Sequence, residues 1–285
     1  MNVNIVTIPY DSGHRGLRMG RGPLHFIERG LVKTLTSAGY AVATSPLESA
    51  QTFRTEVSTA MELNRLLAAH LGTLDGQFPL ILSGNCNLTL AALVHAGSSR
   101  TGLIWFDAHG DYNTPETSPT GFFDGMGLAV ITGQCWQRAA ATVNGYAPVP
   151  PQHVIHVGGR DFDPGEMEKM QQDGVSVVPA ANIRRQNVQD AVTPALRQLG
   201  SKVDQIHIHM DLDVLDPLVA QANHYAPPDG LNLDQVHQVL AEAARHFRIV
   251  SVTFSAYDPD HDSEDKTLNA GRTLMQTILE FAQGQ

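Results

Sequence analysis

The sequence predicts an α/β fold on a mostly parallel sheet, and three observations predict it. Short apolar runs, such as Thr101–Phe106 and residues 205–210, alternate with segments of helical periodicity. Two of these runs end abruptly in carboxylates, Asp107-Ala108-His109-Gly110-Asp111 and Asp211-Leu212-Asp213-Val214-Leu215-Asp216-Pro217. Open α/β sheets place their ligands at such C-terminal strand ends. The 285 residues, 42% of them hydrophobic, suffice for one large domain over 1–285 with a substantial core.

Residues 3–8 read as a strand stopped by Pro9, followed by a Gly- and Arg-rich loop. Pro23 at a first helical position opens a helix over 23–38, which Gly39 closes. The spacing of Met61, Leu63, Leu66, Leu67 and Leu71 predicts a helix within 55–74. A strand over 78–82 runs into Ser83-Gly84-Asn85-Cys86-Asn87 and a helix over 88–95. After the strand Thr101–Phe106, turn-forming residues make 113–126 a loop of functional length, and 126–141 is helical in part. A strand over 153–158 leads to Asp163-Pro164, a good helix start with Asp163 as cap. Then come a strand over 175–179, a helix over 188–199 ended by Gly200, and the strand from Gln205. Asn232 caps a helix over 233–246, residues 249–254 form the last strand, and 268–281 the last helix.

Alternation puts Asp107, His109 and Asp111 on one side of an extended segment, and Asp211 shares a side with Asp213. Two carboxylates and an imidazole suit a borderline-hard divalent cation; the competing reading is a solvated loop with its own hydrogen-bond network. Two acidic strand ends in one α/β chain can converge above the sheet and hold two metals through bridging carboxylates. In this order the two motifs resemble the metal signatures of the arginase (ureohydrolase) family, and the resemblance covers nearly the whole chain. It implies a three-layer α/β/α sandwich with a central sheet of about eight strands. It also implies a centre of two divalent ions, Mn2+, that hydrolyses guanidino groups. Carried over by position, Asp107 and Asp211 bridge the metals, His109 and Asp213 complete one, and Asp111 with Cys86 completes the other.

Cys86 stands where the family has a histidine ligand. It would either ionise and favour softer ions or remain a thiol and leave one metal a ligand short. In the loop that binds the amino-acid carboxylate, Asn113 matches an Asn, Thr120 stands for a Ser, and Phe122 replaces a second Asn. Asp124 takes the place of a proton-shuttling His, so Asp111 and Asp124 are the catalytic candidates; an exposed loop carboxylate is the other reading of Asp124. Arg160-Asp161-Phe162-Asp163-Pro164-Gly165-Glu166 matches the family's α-amino-binding motif through Asp163 and Glu166. Ala256 replaces a Glu that grips the guanidinium. His207 and His209 read as sheet-face residues rather than ligands, and His14, Arg15, His224 and Tyr225 as rim candidates.

These features imply a hydrolase of the carbon–nitrogen bonds of linear amidines. Cys86 and Ala256 beside an intact α-amino site resemble the amidinohydrolases of D-cycloserine biosynthesis, an antibiotic pathway. Those enzymes convert Nω-hydroxy-L-arginine to L-ornithine and hydroxyurea. The alternatives are another ureohydrolase, acting on arginine, agmatine, formiminoglutamate or a guanidino acid, and a non-catalytic binding protein on the same scaffold. The net charge of −10 argues against nucleic acid or an anionic membrane as partner. No apolar run is long enough to span a bilayer, no signal-peptide pattern precedes the first strand, and two cysteines make no disulfide framework. A cytoplasmic protein is expected. The oligomeric state stays open; a monomer is one reading, because the longer tail that assembles some arginase trimers does not follow Gln285.

Overall fold

The computed structural model describes residues 1–285 except 52, 98 and 99. Eight strands form one parallel sheet: β1 (Asn2–Ile8), β2 (Ala41–Pro46), β3 (Phe78–Ser83), β4 (Thr101–Phe106), β5 (Val154–Val157), β6 (Ser176–Val178), β7 (Gln205–Asp211) and β8 (Arg248–Ser255). Their order is β2-β1-β3-β8-β7-β4-β5-β6. The chain winds outward to both edges first, then returns so that β7 and β8 fill the centre. The ends of β3, β8, β7 and β4 thereby become neighbours, although up to about 170 residues separate them. Every residue of β3 and β4 is buried, which is why both read as unbroken apolar runs. Edge strand β2 has no buried residue, so no apolar run announces it in the sequence.

Alternate residues of each strand feed two separate cores, giving three layers. Ile104, Phe106, Ile206, Ile208 and Met210 face helices α1 (Gly22–Glu28), α9 (Val188–Gly200), α10 (Leu233–His246) and α11 (Lys266–Gln283). Leu103 and Trp105, and farther along the sheet Val6 and Ile81, face α3 (Glu56–Leu71), α4 (Thr89–Ala96) and α5 (Gly127–Ile131). His207, His209 and Asp211 of β7 belong to this second face.

The helix expected over 23–38 is two helices, α1 and α2 (Leu31–Ser37). Gly30, at φ 91°, breaks it in the left-handed region that favours glycine. Helix α7 (Glu166–Asp173) starts two residues later than expected, with Gly165 and not Asp163 at its N-cap. Asn232 does cap α10, in a reciprocal box with Gln235: each side chain bonds the other's backbone N–H, at 2.8 and 3.0 Å. The partly helical stretch expected over 126–141 holds α5 and the short α6 (Gln137–Ala140), whereas α8 (Ala180–Arg185) after β6 was not expected.

Candidate metal centre

A cavity opens at the C-terminal ends of the central strands, and every residue singled out above as catalytic, substrate-binding or metal-ligating lines it. Asp107 follows β4 directly. Its Oδ2 accepts the Trp105 indole N–H at 2.9 Å and its Oδ1 the His109 backbone N–H at 2.7 Å. That second bond closes a turn, and Asp107, His109 and Asp111 nonetheless all face the one cavity. Asp111 itself has a left-handed backbone, φ 50°.

The second signature interlocks with the first. Asp211 ends β7, and its Oδ1 accepts the Asp213 N–H at 2.8 Å. Asp213 in turn accepts the Ala108 N–H at 3.1 Å and faces His109 Nδ1 at 3.2 Å. The Cys86 thiol donates to Asp211 Oδ2 at 3.1 Å. Two donor groups result, each with its ligand atoms within 4.8 Å of one another: Asp107, His109 and Asp213, and Cys86, Asp107, His209 and Asp211. Asp107 belongs to both, as a bridging ligand must. Asp211, the other expected bridge, falls in one group only, and Asp111 in neither, although it lines the same cavity.

His209 is the member that sequence reasoning set aside. Its ring stacks on Trp105 with centroids 3.6 Å apart, and Nδ1 pairs with Thr89 Oγ1 of α4 at 2.7 Å. His207 is a sheet-face residue as expected, paired with Ser251 and Thr253, and burial lowers its pKa to about 3. His156 donates to the His109 carbonyl at 2.6 Å and fixes that turn from beneath.

The charges in this cluster call for a cation. Burial, and then repulsion between the carboxylates, raises the pKa values of Asp107, Asp111 and Asp211. Burial and the surrounding carboxylates also push up the Cys86 thiol. Burial alone would lower His109, but Asp213 and Asp107 hold it well above its usual value, and His109 in turn depresses Asp213. Carboxylates, imidazoles and one sulfur, with one carboxylate shared, fit a pair of divalent metals.

On the cavity wall, Asn113 Nδ2 donates to Asp163 Oδ2 at 2.7 Å and to Glu166 Oε1 at 3.2 Å. Glu166 also accepts the N–H groups of Tyr112 and Asp163, at 2.8 and 3.0 Å, and so ties the first signature to the 160–166 turn. Gly110 permits this: a Cβ there would lie 2.4 Å from the Glu166 carboxyl carbon. Asp124 is buried, and burial raises it to about 7 against the pull of bonds from Asn85, Asn87 and Cys86.

A family model described as the arginase family matches residues 1–280. This chain belongs to the arginase family. The arginases of Bacillus caldovelox and Bacillus subtilis (strain 168) are 28% and 29% identical to it, each over 97% of both chains. The crystal structure of arginase from Bacillus cereus is similar at a TM-score of 0.88 and 26% identity, over 98% of both chains. Formimidoylglutamase from Bacillus subtilis shares the fold at a TM-score of 0.77 and 19% identity, over 98% of this chain and 86% of its own. Arginase-family hydrolases act on the carbon–nitrogen bonds of amidines at a binuclear metal centre, and the two donor groups here are a cluster of possible ligands for one.

The residues expected to depart from the family pattern, Cys86, Thr120, Phe122, Asp124 and Ala256, all line the cavity. Ala256 sits at φ 62°, its carbonyl held by Asn223 Nδ2 at 2.8 Å. Asn223 is buried and also accepts the backbone N–H groups of Tyr225 and Ala226, a role with no signal in the sequence beyond its neighbours. Tyr225 stacks with Phe122 across the mouth, ring centroids 6.2 Å apart. His14 and Arg15 do not reach the cavity: His14 stacks on Phe53 and Arg15 pairs with Glu48. Met19 lines it from that loop instead.

Proposed function

We propose that this protein hydrolyses the guanidino group of an arginine-like amino acid, and that its substrate is Nω-hydroxy-L-arginine, cleaved with water to L-ornithine and hydroxyurea. The observation that carries the reaction class is the pair of buried donor groups sharing Asp107 at the base of the cavity. Asp107, His109 and Asp213 would hold one divalent ion, and Cys86, Asp107, His209 and Asp211 the other, both assigned as Mn2+. When bound, such ions lower the pKa of water and offset charge that develops on oxygen. Asp111 lines the same cavity, where its carboxylate would take the proton of the attacking water and return it to the leaving amine nitrogen. Asp163 and Glu166 would meet the substrate's α-ammonium, with Asn113 and Thr120 near its carboxylate.

Ala256 favours the hydroxylated substrate. It leaves an apolar methyl in the cavity where no carboxylate grips a full guanidinium charge, and an N-hydroxyguanidine is the less basic group. This reading places the enzyme in D-cycloserine biosynthesis. Ornithine and hydroxyurea release from Nω-hydroxy-L-arginine, compared with turnover of L-arginine and agmatine under added Mn2+, tests it. Faster hydrolysis of L-arginine overturns the substrate assignment. Preference for agmatine overturns the α-amino site. Metal binding without hydrolysis of any of the three favours a binding protein.

A further inference from the structure

Each oxygen of the Asp124 carboxylate accepts two hydrogen bonds. Its Oδ2 accepts Asn85 Nδ2 at 2.7 Å and the Cys86 backbone N–H at 3.1 Å. Its Oδ1 accepts the Asn87 backbone N–H at 3.1 Å and Asn87 Nδ2 at 2.9 Å. An ionised carboxylate offers about four acceptor directions, and all four are taken.

The four bonds converge on one short stretch. Cys86, Asn87 and Leu88 form a 3-10 turn that leads into α4, and the first N–H groups of such a turn have no partner within it. No side chain of the turn's own N-cap, Asn85, satisfies them. Asp124 does so from 38 residues away. From the other side, Asn85 Oδ1 accepts the Ser12 N–H at 2.8 Å, and Ser83 Oγ donates to the Asn85 carbonyl at 2.8 Å. The turn is thus gripped on both flanks. What it presents between them is the Cys86 sulfur, 3.1 Å from Asp211 Oδ2 and 3.3 Å from Ser255 Oγ. An aspartate in place of Asn85 would set a carboxylate against both Asp124 and Asp11, since Asn85 Nδ2 lies between them at 2.7 and 3.5 Å. The amide at 85 and the carboxylate at 124 require each other.

We propose that Asp124 is a positioning residue: with Asn85 and Asn87 it forms one brace that sets Cys86 against the second metal position. The placement of Cys86 as a ligand rests on the metal reading above, so the primary readouts do not depend on the substrate.

The test uses the full-length protein with Cys135→Ala, which leaves Cys86 as the one thiol of the chain. Asp124→Asn and Asn85→Ala are introduced separately and together. The reaction of Cys86 with an aromatic disulfide reagent is followed in chelator-treated protein and again with Mn2+ added, alongside metal per chain after dialysis. Each single variant should speed thiol modification by about tenfold, the equivalent of one lost hydrogen bond to a charged group. Each should also lower retained metal, and the double variant should do little more than either single, because both break one unit. The pH profile of kcat should keep both limbs in Asp124→Asn. Unchanged thiol reactivity and metal content, with one limb of that profile erased, would make Asp124 a proton donor and overturn the proposal. If Asp124→Asn does not fold, Asn85→Ala and Asn87→Ala carry the same readouts, and wild-type thiol rates in both would equally overturn it. Failure of all hydrolysis with any guanidino compound would sink the substrate reading while leaving these thiol and metal results standing.

Discussion

Arg160 is the side chain whose loss should be felt most widely. Its guanidinium donates to backbone carbonyls from three parts of the chain: Asp213 and Pro227 at 2.8 Å, Pro228 at 3.0 Å, and Leu215, Gly158 and Val214 at 3.2–3.3 Å. It joins the β5 end to the Asp213 turn and to the loop after it. Arg160→Met keeps the aliphatic stem and removes every donor. Each of the three short bonds to a charged donor contributes about 1.5–3 kcal/mol. Relief from burying the guanidinium offsets part of that sum, which leaves a net loss of about 3–5 kcal/mol. At about 2–4 °C per kcal/mol for a chain of this size, Tm should fall by about 10 °C. Asp213 should also lose its place, so metal retention falls with stability. Arg160→Lys has three donors but no planar fork and should recover less than half of the loss. Urea and thermal unfolding, with metal per chain by plasma mass spectrometry, measure all of this. A loss below about 1 kcal/mol would refute the reasoning, and so would a lysine variant equal to wild type.

Further outcomes follow from the same geometry. Asp107, Asp111, Asp211 and His109 have folded pKa values above their unfolded ones. Their protonated forms therefore stabilise the metal-free fold. The carboxyl contributions are complete only below the ordinary carboxylate range, and that of His109 below its ordinary value; each is lost as pH rises through the folded pKa. Depressed Asp213 runs the other way, but only in strong acid. Differential scanning from pH 6 to 9 should show the metal-free Tm falling, and Mn2+ at about 100 times its Kd should flatten the slope and add about 2.7 kcal/mol; a flat metal-free curve would contradict the charge cluster. Asp163→Ala should raise KM with little change in kcat, because Asp163 lies on the wall away from the donor groups; a large kcat loss at constant KM counts against that placement. Cys86→His should raise the Mn2+ retained per chain after identical dialysis, since imidazole suits Mn2+ better than a buried thiol; equal retention of two metals by both proteins would sink the idea. Gly110→Ala should displace Glu166 and weaken substrate binding, and an unchanged KM would show that Glu166 has room to move.

Much of the fold was legible because its signals are local. Strands buried on both faces, such as β3 and β4, must be apolar throughout, and Asn232 with Gln235 announces a helix within four residues. Where tertiary contact replaces such a signal, the reading fails. The exposed edge strand β2 carries no apolar run, and Asp163 looks like a cap although its carboxylate is taken by Asn113.

By itself the sequence determined the chemistry available at the strand ends: Asp107, His109, Asp211 and Asp213 stand in motifs whose residue types suit divalent metals, and the topology of a parallel sheet brings such ends together. It also showed that Cys86 and Ala256 are unusual. Which of these groups converge was decided only by the tertiary structure. Asp111 lines the cavity but falls outside both donor groups, His209, stacked on Trp105, joins the second group, and four distant donors fix Asp124. The physical reason is that ligand geometry depends on side-chain direction and on partners tens to hundreds of residues away, whereas a motif reports residue type and spacing along one segment.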